Sequence, residues 1–400
     1  MNQISIRRTS GVSSMEIRPK RAGSALPVLF LALLAALSCI CAAYAERNEF
    51  PPSCRTVTLA HRPAGESIPG PEKELTPQCL ACFRESFKII RDCGDKVWKG
   101  FGAANIRANI VTPHYEFFFG DADAPDGYAP LQGDCQLGKP VFYRKREYRH
   151  EFVSTISQIS GKPALFISSK EVFEKTYSRS PLYRIAEDYV FTIVGQCFQL
   201  YLRTNNTAYA EKLSSLTPEL ESLEKKYPYR DTVNARILQF EGEQLLTAYQ
   251  AKDADESKEC VLTMLRLRQM RLREMQEACN VNFTPYENWM EWSLGLSKYT
   301  EVQCARSILS GSYKPTAGMA QVSNFKRYGF LRNKIPFELG RLNFTRNQLI
   351  HGAMGMTEAL LLDRFNPEWK EEIFRHDPSL VDILRESIQP KDSAKPAEYK

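Results

Sequence analysis

The sequence predicts an α+β fold, in which a small N-terminal antiparallel β-sheet precedes a mainly α-helical domain. Between residues 100 and 170, short runs rich in Ile, Val, Phe and Tyr alternate with Gly, Pro and Asp, which is typical of strands joined by turns. From Leu182 to Leu384, apolar residues instead recur every three or four positions, as on amphipathic helices. With 400 residues, 43% of them hydrophobic, the chain is long enough to bury a large core.

Residues 1–45 have the pattern of a targeting segment. A basic stretch ends at Arg21, an apolar run covers residues 25–45, and Ala43 and Ala45 supply the small residues of a signal-peptide cleavage site. About 20 apolar residues can also span a bilayer, so an uncleaved signal anchor is the alternative. We therefore expect a secreted or extracytoplasmic protein, which contacts a membrane only through residues 25–45 if they are not cleaved.

The next two segments differ in composition. Residues 46–76 are rich in proline and read as a linker. Residues 77–170 are expected to form one helix followed by the sheet, because apolar residues lie at helical spacing over 77–93 and strand-like runs follow. Four or five strands are expected, at residues 106–111, 115–119, 141–143, 152–159 and 164–167.

The remaining chain predicts a helical domain over residues 171–389 and a polar, disordered tail over 390–400. A further helix is expected around Trp369 and Ile373. The other principal helices are expected at residues 185–203, 206–226, 231–250, 256–279, 285–309 and 347–363. One of them carries Arg266, Arg268, Arg271 and Arg273, which could form an anionic-ligand site; because these arginines point to different faces and acids are nearby, we interpret the segment as a solvated helix.

Charge argues against a nucleic-acid partner. The formal net charge is +6, but residues 1–45 carry five basic residues and one acid, and the rest of the chain carries 48 basic and 46 acidic residues. This near balance gives no electrostatic basis for binding a polyanion.

Cysteines and sequons fit an extracytoplasmic location. Of 11 cysteines, nine follow the targeting segment, and outside the cytosol some are expected to pair. Cys79 and Cys82 form a CxxC without the second pair that a zinc site needs, so we interpret them as a disulfide or as buried thiols. Asn205, Asn282 and Asn343 begin N-x-T sequons and are candidates for glycosylation in a eukaryotic secretory pathway.

Four short motifs, in order and at suitable spacing, link the chain to a known group. They are Val97-Trp98-Lys99-Gly100-Phe101, Ala124-Pro125-Asp126-Gly127-Tyr128, Phe240-Glu241-Gly242-Glu243-Gln244-Leu245, and Leu361-Leu362-Asp363-Arg364-Phe365 with Trp369-Lys370. Over about residues 87–375, the chain resembles secreted bacterial proteins related to the gluzincin (HExxH) metallopeptidases. The resemblance implies a zincin-like helical domain.

The zinc-binding residues of that group are missing here. The resemblance places His-Glu-x-Phe-His on the helix at 193–201, but Gly195 and Gln199 replace the histidines and Gln196 replaces the glutamate. It also places the third ligand at Leu294. Neither glycine nor leucine can ligate zinc, and a glutamine amide is a poor ligand and no general base near neutral pH. We therefore expect no bound zinc, no cofactor and no catalytic residues.

This pattern predicts a catalytically inactive metallopeptidase-like protein rather than an enzyme. Its partner would be an unidentified protein or peptide, bound through the vestigial cleft between the helices at 185–203 and 285–300. One alternative is a hydrolase with a site rebuilt from His351, Glu241 and Glu243. The other is a structural envelope or surface protein without a ligand, in which Trp289 and Trp292 fill the cleft.

Overall fold

The computed structural model describes residues 68–132, 138–147, 154–177, 185–311, 313–344, 348–375 and 379–389. The predicted targeting segment, most of the predicted linker and the predicted tail lie outside these ranges. Within them, no helix is both long and apolar enough to cross a membrane. The described part confirms the predicted α+β class, with a sheet followed by a mainly helical region.

The N-terminal part consists of two helices and a sheet. The second helix begins where the sequence predicts, because Pro77 fits its first turn and the Thr76 side chain accepts a hydrogen bond from the Cys79 amide. The elements are α1 (Pro71–Glu74), α2 (Pro77–Val97), β1 (Ala108–Val111), β2 (Tyr115–Phe119), β3 (Ala129–Pro130), β4 (Val141–Lys145), β5 (Ser154–Ile159) and β6 (Lys162–Ser168).

The sheet has six strands in the order β3-β4-β2-β1-β6-β5. All neighbouring pairs are antiparallel except β1 and β6, which run parallel, with Ile110 opposite Ile167. The expected sheet of four or five antiparallel strands is therefore wrong in these details. Strand β3 was missed because two exposed residues show no alternation. The parallel pair arises because the β5–β6 hairpin packs beside β1, a pairing that local sequence does not encode.

The helical part agrees with most predicted spans, but the predicted helix at 285–309 is interrupted by a π-helix. This π-helical segment covers Glu291–Gly295. The helices are α3 (Lys170–Tyr177), α4 (Ala186–Asn205), α5 (Thr207–Lys226), α6 (Thr232–Gln250), α7 (Ala254–Cys279), α8 (Thr284–Met290), α9 (Leu296–Ser310), α10 (Lys334–Phe344), α11 (Leu349–Phe365), α12 (Trp369–Arg375) and α13 (Leu380–Ile388), with short 3₁₀ turns at Met319–Gln321 and Gly329–Asn333.

Residues from two of the four motifs that carry the resemblance meet in the core. The Trp98 ring stacks on Phe198 of α4 with centroids 4.8 Å apart, and it meets Tyr299 and Trp369 edge to face. The Asp363 carboxylate accepts hydrogen bonds from the Tyr299 hydroxyl at 2.8 Å and the Trp369 indole at 3.1 Å. These contacts explain the motifs as packing residues, whatever chemistry they accompany in other proteins.

The described cysteines are unpaired thiols. Cys79 and Cys82 of the CxxC are both buried on α2, which matches the buried-thiol alternative. Burial raises the pKa of Cys82 to about 12, so its thiol stays protonated at neutral pH. Among the sequons, Asn205 and Asn282 are exposed, whereas the one at Asn343 extends beyond the described residues.

Candidate functional site

The predicted vestigial site lies where α4 packs against the π-helical segment and α9. The Gln199 amide donates hydrogen bonds to the Ser293 carbonyl oxygen at 2.6 Å and to Ser297 Oγ at 2.9 Å. The Ser297 hydroxyl in turn donates to the Gly195 carbonyl oxygen at 3.3 Å. Gln199 is only 7% exposed, so its amide serves helix packing and does not face solvent.

Space at this interface is fully used. A Cβ atom added at Gly195 would lie 2.8 Å from Glu301 Oε1 and 3.4 Å from Ser297 Cβ. Leu294 is half-buried and packs on the other side, since a Cβ at Gly352 of α11 would lie 3.2 Å from Leu294 Cβ. The structure thus brings Gly195 and Gln199 together on one contact surface and places Leu294 against a different helix.

Charges continue this interface along the same face of α4. Asp188 lies two turns before Gly195, and burial raises the pKa of its carboxyl to about 6, while the Lys334 charge opposes that rise. Glu301 pairs with Lys298 at 2.9 Å and with Lys334 at 3.1 Å. Gln196, the remaining predicted position, is half-buried.

Stability should depend on pH through Asp188. A carboxyl with a raised pKa in the folded state contributes stability that is complete below its unfolded value and is lost as pH rises through the folded value. The stability that Asp188 contributes is therefore lost between about pH 4 and 6. The substitution Asp188→Asn, which mimics the protonated form, should remove about 1–2 kcal/mol of this decline. Urea denaturation of both proteins from pH 4 to 8 checks this. If the free energy of unfolding depended on pH in the same way in both proteins, the prediction would be contradicted.

The predicted alternative site around His351 also differs in the structure from what the sequence predicts. His351 is fully buried on α11, and the rings of Tyr227, Tyr229 and Tyr286 surround it, with centroids 5.4, 5.9 and 6.1 Å away. Neither ring nitrogen of His351 has a hydrogen-bond partner among the described residues. Burial lowers the pKa of His351 to about 4, so the imidazole is neutral at physiological pH.

The carboxylates nearest His351 are not those of the predicted alternative site, Glu241 and Glu243. Glu243 is half-buried and accepts a hydrogen bond from Gln239 at 3.0 Å, away from the histidine. Instead, Glu287 and Glu291 each place a carboxylate oxygen within 4.8 Å of a His351 nitrogen and of each other. The Glu291 Oε1 atom lies 3.8 Å from His351 Nδ1.

Two arginines of α7 hold these carboxylates. Arg268 donates from both terminal nitrogens to Glu291, each at 2.8 Å. Arg271 donates to Glu241 at 2.6 Å and to Glu287 at 2.6 and 2.8 Å. Both arginines are nearly fully buried, so the interpretation of this segment as a solvated helix is wrong for these two side chains.

A fourth glutamate completes the group. Glu358 Oε1 lies 3.1 Å from Arg268 Nη2, and neither of its oxygens makes a hydrogen bond in the described part of the chain. Burial, with the Glu291 charge next, raises the pKa of Glu358 to about 8. We call this group the buried cluster; its members are Glu241, Arg268, Arg271, Glu287, Glu291, His351 and Glu358.

Helix geometry explains why these residues converge. Glu287 and Glu291 are four residues apart, and Arg268 and Arg271 are three apart, so each pair lies on one face of its helix. The cluster combines four carboxyl groups with two guanidinium groups, and the raised pKa of Glu358 keeps that carboxyl mainly protonated at neutral pH. Its members are at most 4% exposed, so no large substrate can reach them.

A solvent-accessible cavity of about 240 Å³ lies elsewhere, between α2, α9 and α12. The Arg306 guanidinium at its edge donates to the Tyr249 hydroxyl at 2.7 Å, and the Lys370 ammonium lies over the Trp98 ring. The lining residues are Lys96, Val97, Gln303, Arg306, Ser307, Ser310 and Lys370. Three are cationic and none is acidic; the Lys370 ammonium already lies 3.8 Å from the Asp363 carboxylate, but the cations still outnumber the acids, so the cavity suits an anionic group.

Comparisons with protein-family models, curated proteins and solved structures gave no match. The resemblance to the gluzincin-related proteins therefore rests on the motifs alone and stays a prediction. What the geometry itself provides is a filled helix interface at the predicted zinc positions, a closed charged cluster and a basic surface cavity.

Proposed function

We propose that this chain is a secreted or surface-tethered, catalytically inactive metallopeptidase-like protein that binds a protein or peptide. The observation that supports this most strongly is the Gln199 amide, which donates both of its hydrogen bonds to the facing helix. At the position that the resemblance assigns to a zinc ligand, this side chain joins two helices. Because α4 and α9 are in contact there, the partner binds beside the interface and not within it.

The cavity between α2, α9 and α12 is the surface that fits such a partner. Its cations Lys96, Arg306 and Lys370 would receive a carboxylate, from an acidic side chain or from a chain terminus. Hydroxyl groups of Ser307 and Ser310 add neutral donors at the same opening. The proposed partner is therefore an acidic peptide segment.

The test is binding of purified protein to an array of acidic peptides, each paired with a copy in which Gln and Asn replace Glu and Asp. We expect the acidic copies to bind more tightly and Arg306→Ala to weaken binding at least tenfold, which corresponds to about 1.4 kcal/mol. Arg273→Ala is the matched control, since Arg273 is exposed on another helix. Equal binding of both peptide sets, or hydrolysis of any peptide with one equivalent of zinc bound, would overturn the proposal.

Restoring the histidines should not restore a zinc site. In the double variant Gly195→His and Gln199→His, an imidazole at 195 would need the space of Glu301 and Ser297, and the Ser293 carbonyl would lose its donor. We expect no zinc at this position and a loss of at least about 2 kcal/mol in the free energy of unfolding. Metal analysis and urea denaturation check both. Tight binding of one zinc equivalent more than the unmodified protein binds, without loss of stability, would show that the interface can open.

The hydrolase with a rebuilt site around His351 is not favoured by the geometry. A histidine near two carboxylates is present, as that alternative requires, but with Glu287 and Glu291 in place of Glu241 and Glu243. A hydrolytic site needs an open position for water and substrate, whereas this one is closed by tyrosine rings and helices.

A further inference from the structure

We propose that the buried cluster binds one divalent metal ion, held by Glu287, Glu291 and His351, as a structural element of the helical domain. Each residue offers one ligand atom, and the three atoms lie within 4.8 Å of one another. This inference is independent of the proposed peptide-binding function and concerns a different part of the molecule.

The histidine supplies the first argument. His351 is fully buried, and both of its ring nitrogens lack a hydrogen-bond partner among the described residues. A buried polar group without a partner is costly, and such groups in native proteins call for an explanation. Metal ions bind histidine through its neutral imidazole. The Nδ1 atom of His351 lies 3.8 Å from a carboxylate oxygen of Glu291.

The charge of the cluster supplies the second argument. The carboxylates of Glu241, Glu287, Glu291 and Glu358 face only two cations, Arg268 and Arg271, among the described residues that contact them. An uncompensated charge in a dry interior is costly. Four carboxyl groups against two guanidinium groups leave room for a divalent cation, and without an ion the protonation of Glu358 relieves part of the excess.

The arginines do not exclude the ion from this position. A carboxylate has about four lone-pair sites, and the guanidinium of Arg268 uses two of those on Glu291. Arg271 uses two sites on Glu287 and the Tyr227 hydroxyl uses a third, which leaves about one for an ion. Hydrogen bonds of this kind orient metal-binding carboxylates in many sites and hold them ready for the ion.

The backbone is unusual at the same place. The π-helical segment begins at Glu291. The Glu291 carbonyl group lies close to the backbone of Gly355, which is one turn after His351 on α11. Isolated π-helical turns within α-helices occur frequently at functional sites. Here the turn brings the Glu291 backbone against the helix that carries the histidine.

The donor set selects the metal. Two carboxylate oxygens and one imidazole nitrogen suit zinc, whereas calcium and magnesium prefer oxygen ligands alone. The three residues supply three of the four ligands of a zinc ion, and the enclosed position, which admits no substrate, is typical of a structural rather than a catalytic ion. The site is therefore assigned to zinc or a similar first-row ion.

The experiment uses full-length protein stripped with a chelator and titrated with Zn²⁺, followed by calorimetry and thermal unfolding. We expect one equivalent to bind and the midpoint of unfolding to rise. His351→Gln, which keeps a polar side chain, should weaken binding at least tenfold. Glu243→Gln, on α6 outside the cluster, is the control and should bind as the unmodified protein does. Circular dichroism establishes that both variants fold.

Cobalt substitution separates this site from the cysteines. Co²⁺ held by oxygen and nitrogen ligands lacks the intense near-ultraviolet band of a thiolate complex. A thiolate band would place the ion on cysteines such as Cys79 and Cys82 and overturn the assignment. Failure of the stripped protein to take up zinc, or equal affinity of His351→Gln, would overturn it as well. A negative result here leaves the peptide-binding test unaffected, since that test involves another surface.

Discussion

Arg271→Met should destabilise the protein by about 3–5 kcal/mol, because it removes one member of a buried ion-pair group and leaves its partners charged. Arg271 is 1% exposed and forms hydrogen bonds to both Glu241 and Glu287. Methionine fills the space of the aliphatic part of the side chain but carries no guanidinium, so the main cost arises from the two stranded carboxylates. A loss of this size is a large share of the 5–15 kcal/mol of net stability that is typical of folded proteins.

The matched control is Arg273→Met on the same helix. The Arg273 side chain is 79% exposed and pairs with Glu277 at 2.9 Å, and such surface pairs contribute little. Its free energy of unfolding should change by less than about 0.5 kcal/mol. Urea denaturation at pH 7 measures both variants. Similar small effects for the two substitutions would show that the buried cluster does not need this cation.

The fold class could be predicted because it depends on local patterns. Periodicity located α6 at 231–250, and the structure has it at Thr232–Gln250. Pairings between distant segments could not be predicted in the same way. The parallel alignment of β1 with β6 joins residues more than 50 positions apart, and no turn or repeat in the sequence specifies it.

The candidate site was predictable only in part. His351 stood out as a rare residue type on an apolar helix, but its partners come from α8 and the π-helical segment, and helix spacing alone does not say which helices meet. Arg268 and Arg271 carried an overlooked signal. They continue the buried stripe of Met264 and Met275 at steps of four, three and four residues, so they lie on the core face of α7.

The π-helical segment could not be predicted, since the close contact that accompanies it involves another helix. Gly295 and Gly355 bring two backbones into direct contact, and a Cβ atom on Gly295 would lie 2.6 Å from the Gly355 Cα atom. In the sequence, Gly295 lies within the predicted helix at 285–309, and Gly355 lies within a different predicted helix, at 347–363. Only the packing of α11 against this segment shows that each glycine leaves space for the backbone of the other.

Gly355→Ala should therefore destabilise the protein by at least about 3 kcal/mol, although alanine is the better helix former by about 1 kcal/mol. A Cβ atom at Gly355 would overlap the Glu291 carbonyl oxygen and lie 2.7 Å from its carbonyl carbon. Backbone atoms cannot rotate away as a side chain can, so α11 or the π-helical segment must move. Either movement would also displace Glu291 from His351.

Gly340→Ala provides the comparison that isolates this contact. Gly340 lies inside α10 with no atom within 4 Å of an added Cβ, so the same substitution should leave stability unchanged or raise it by about 0.5–1 kcal/mol. Thermal and urea unfolding of the two variants measure the difference. If Gly355→Ala were as stable as Gly340→Ala, the backbone contact would be looser than described. The close approach that places Glu291 beside His351 would then be wrong.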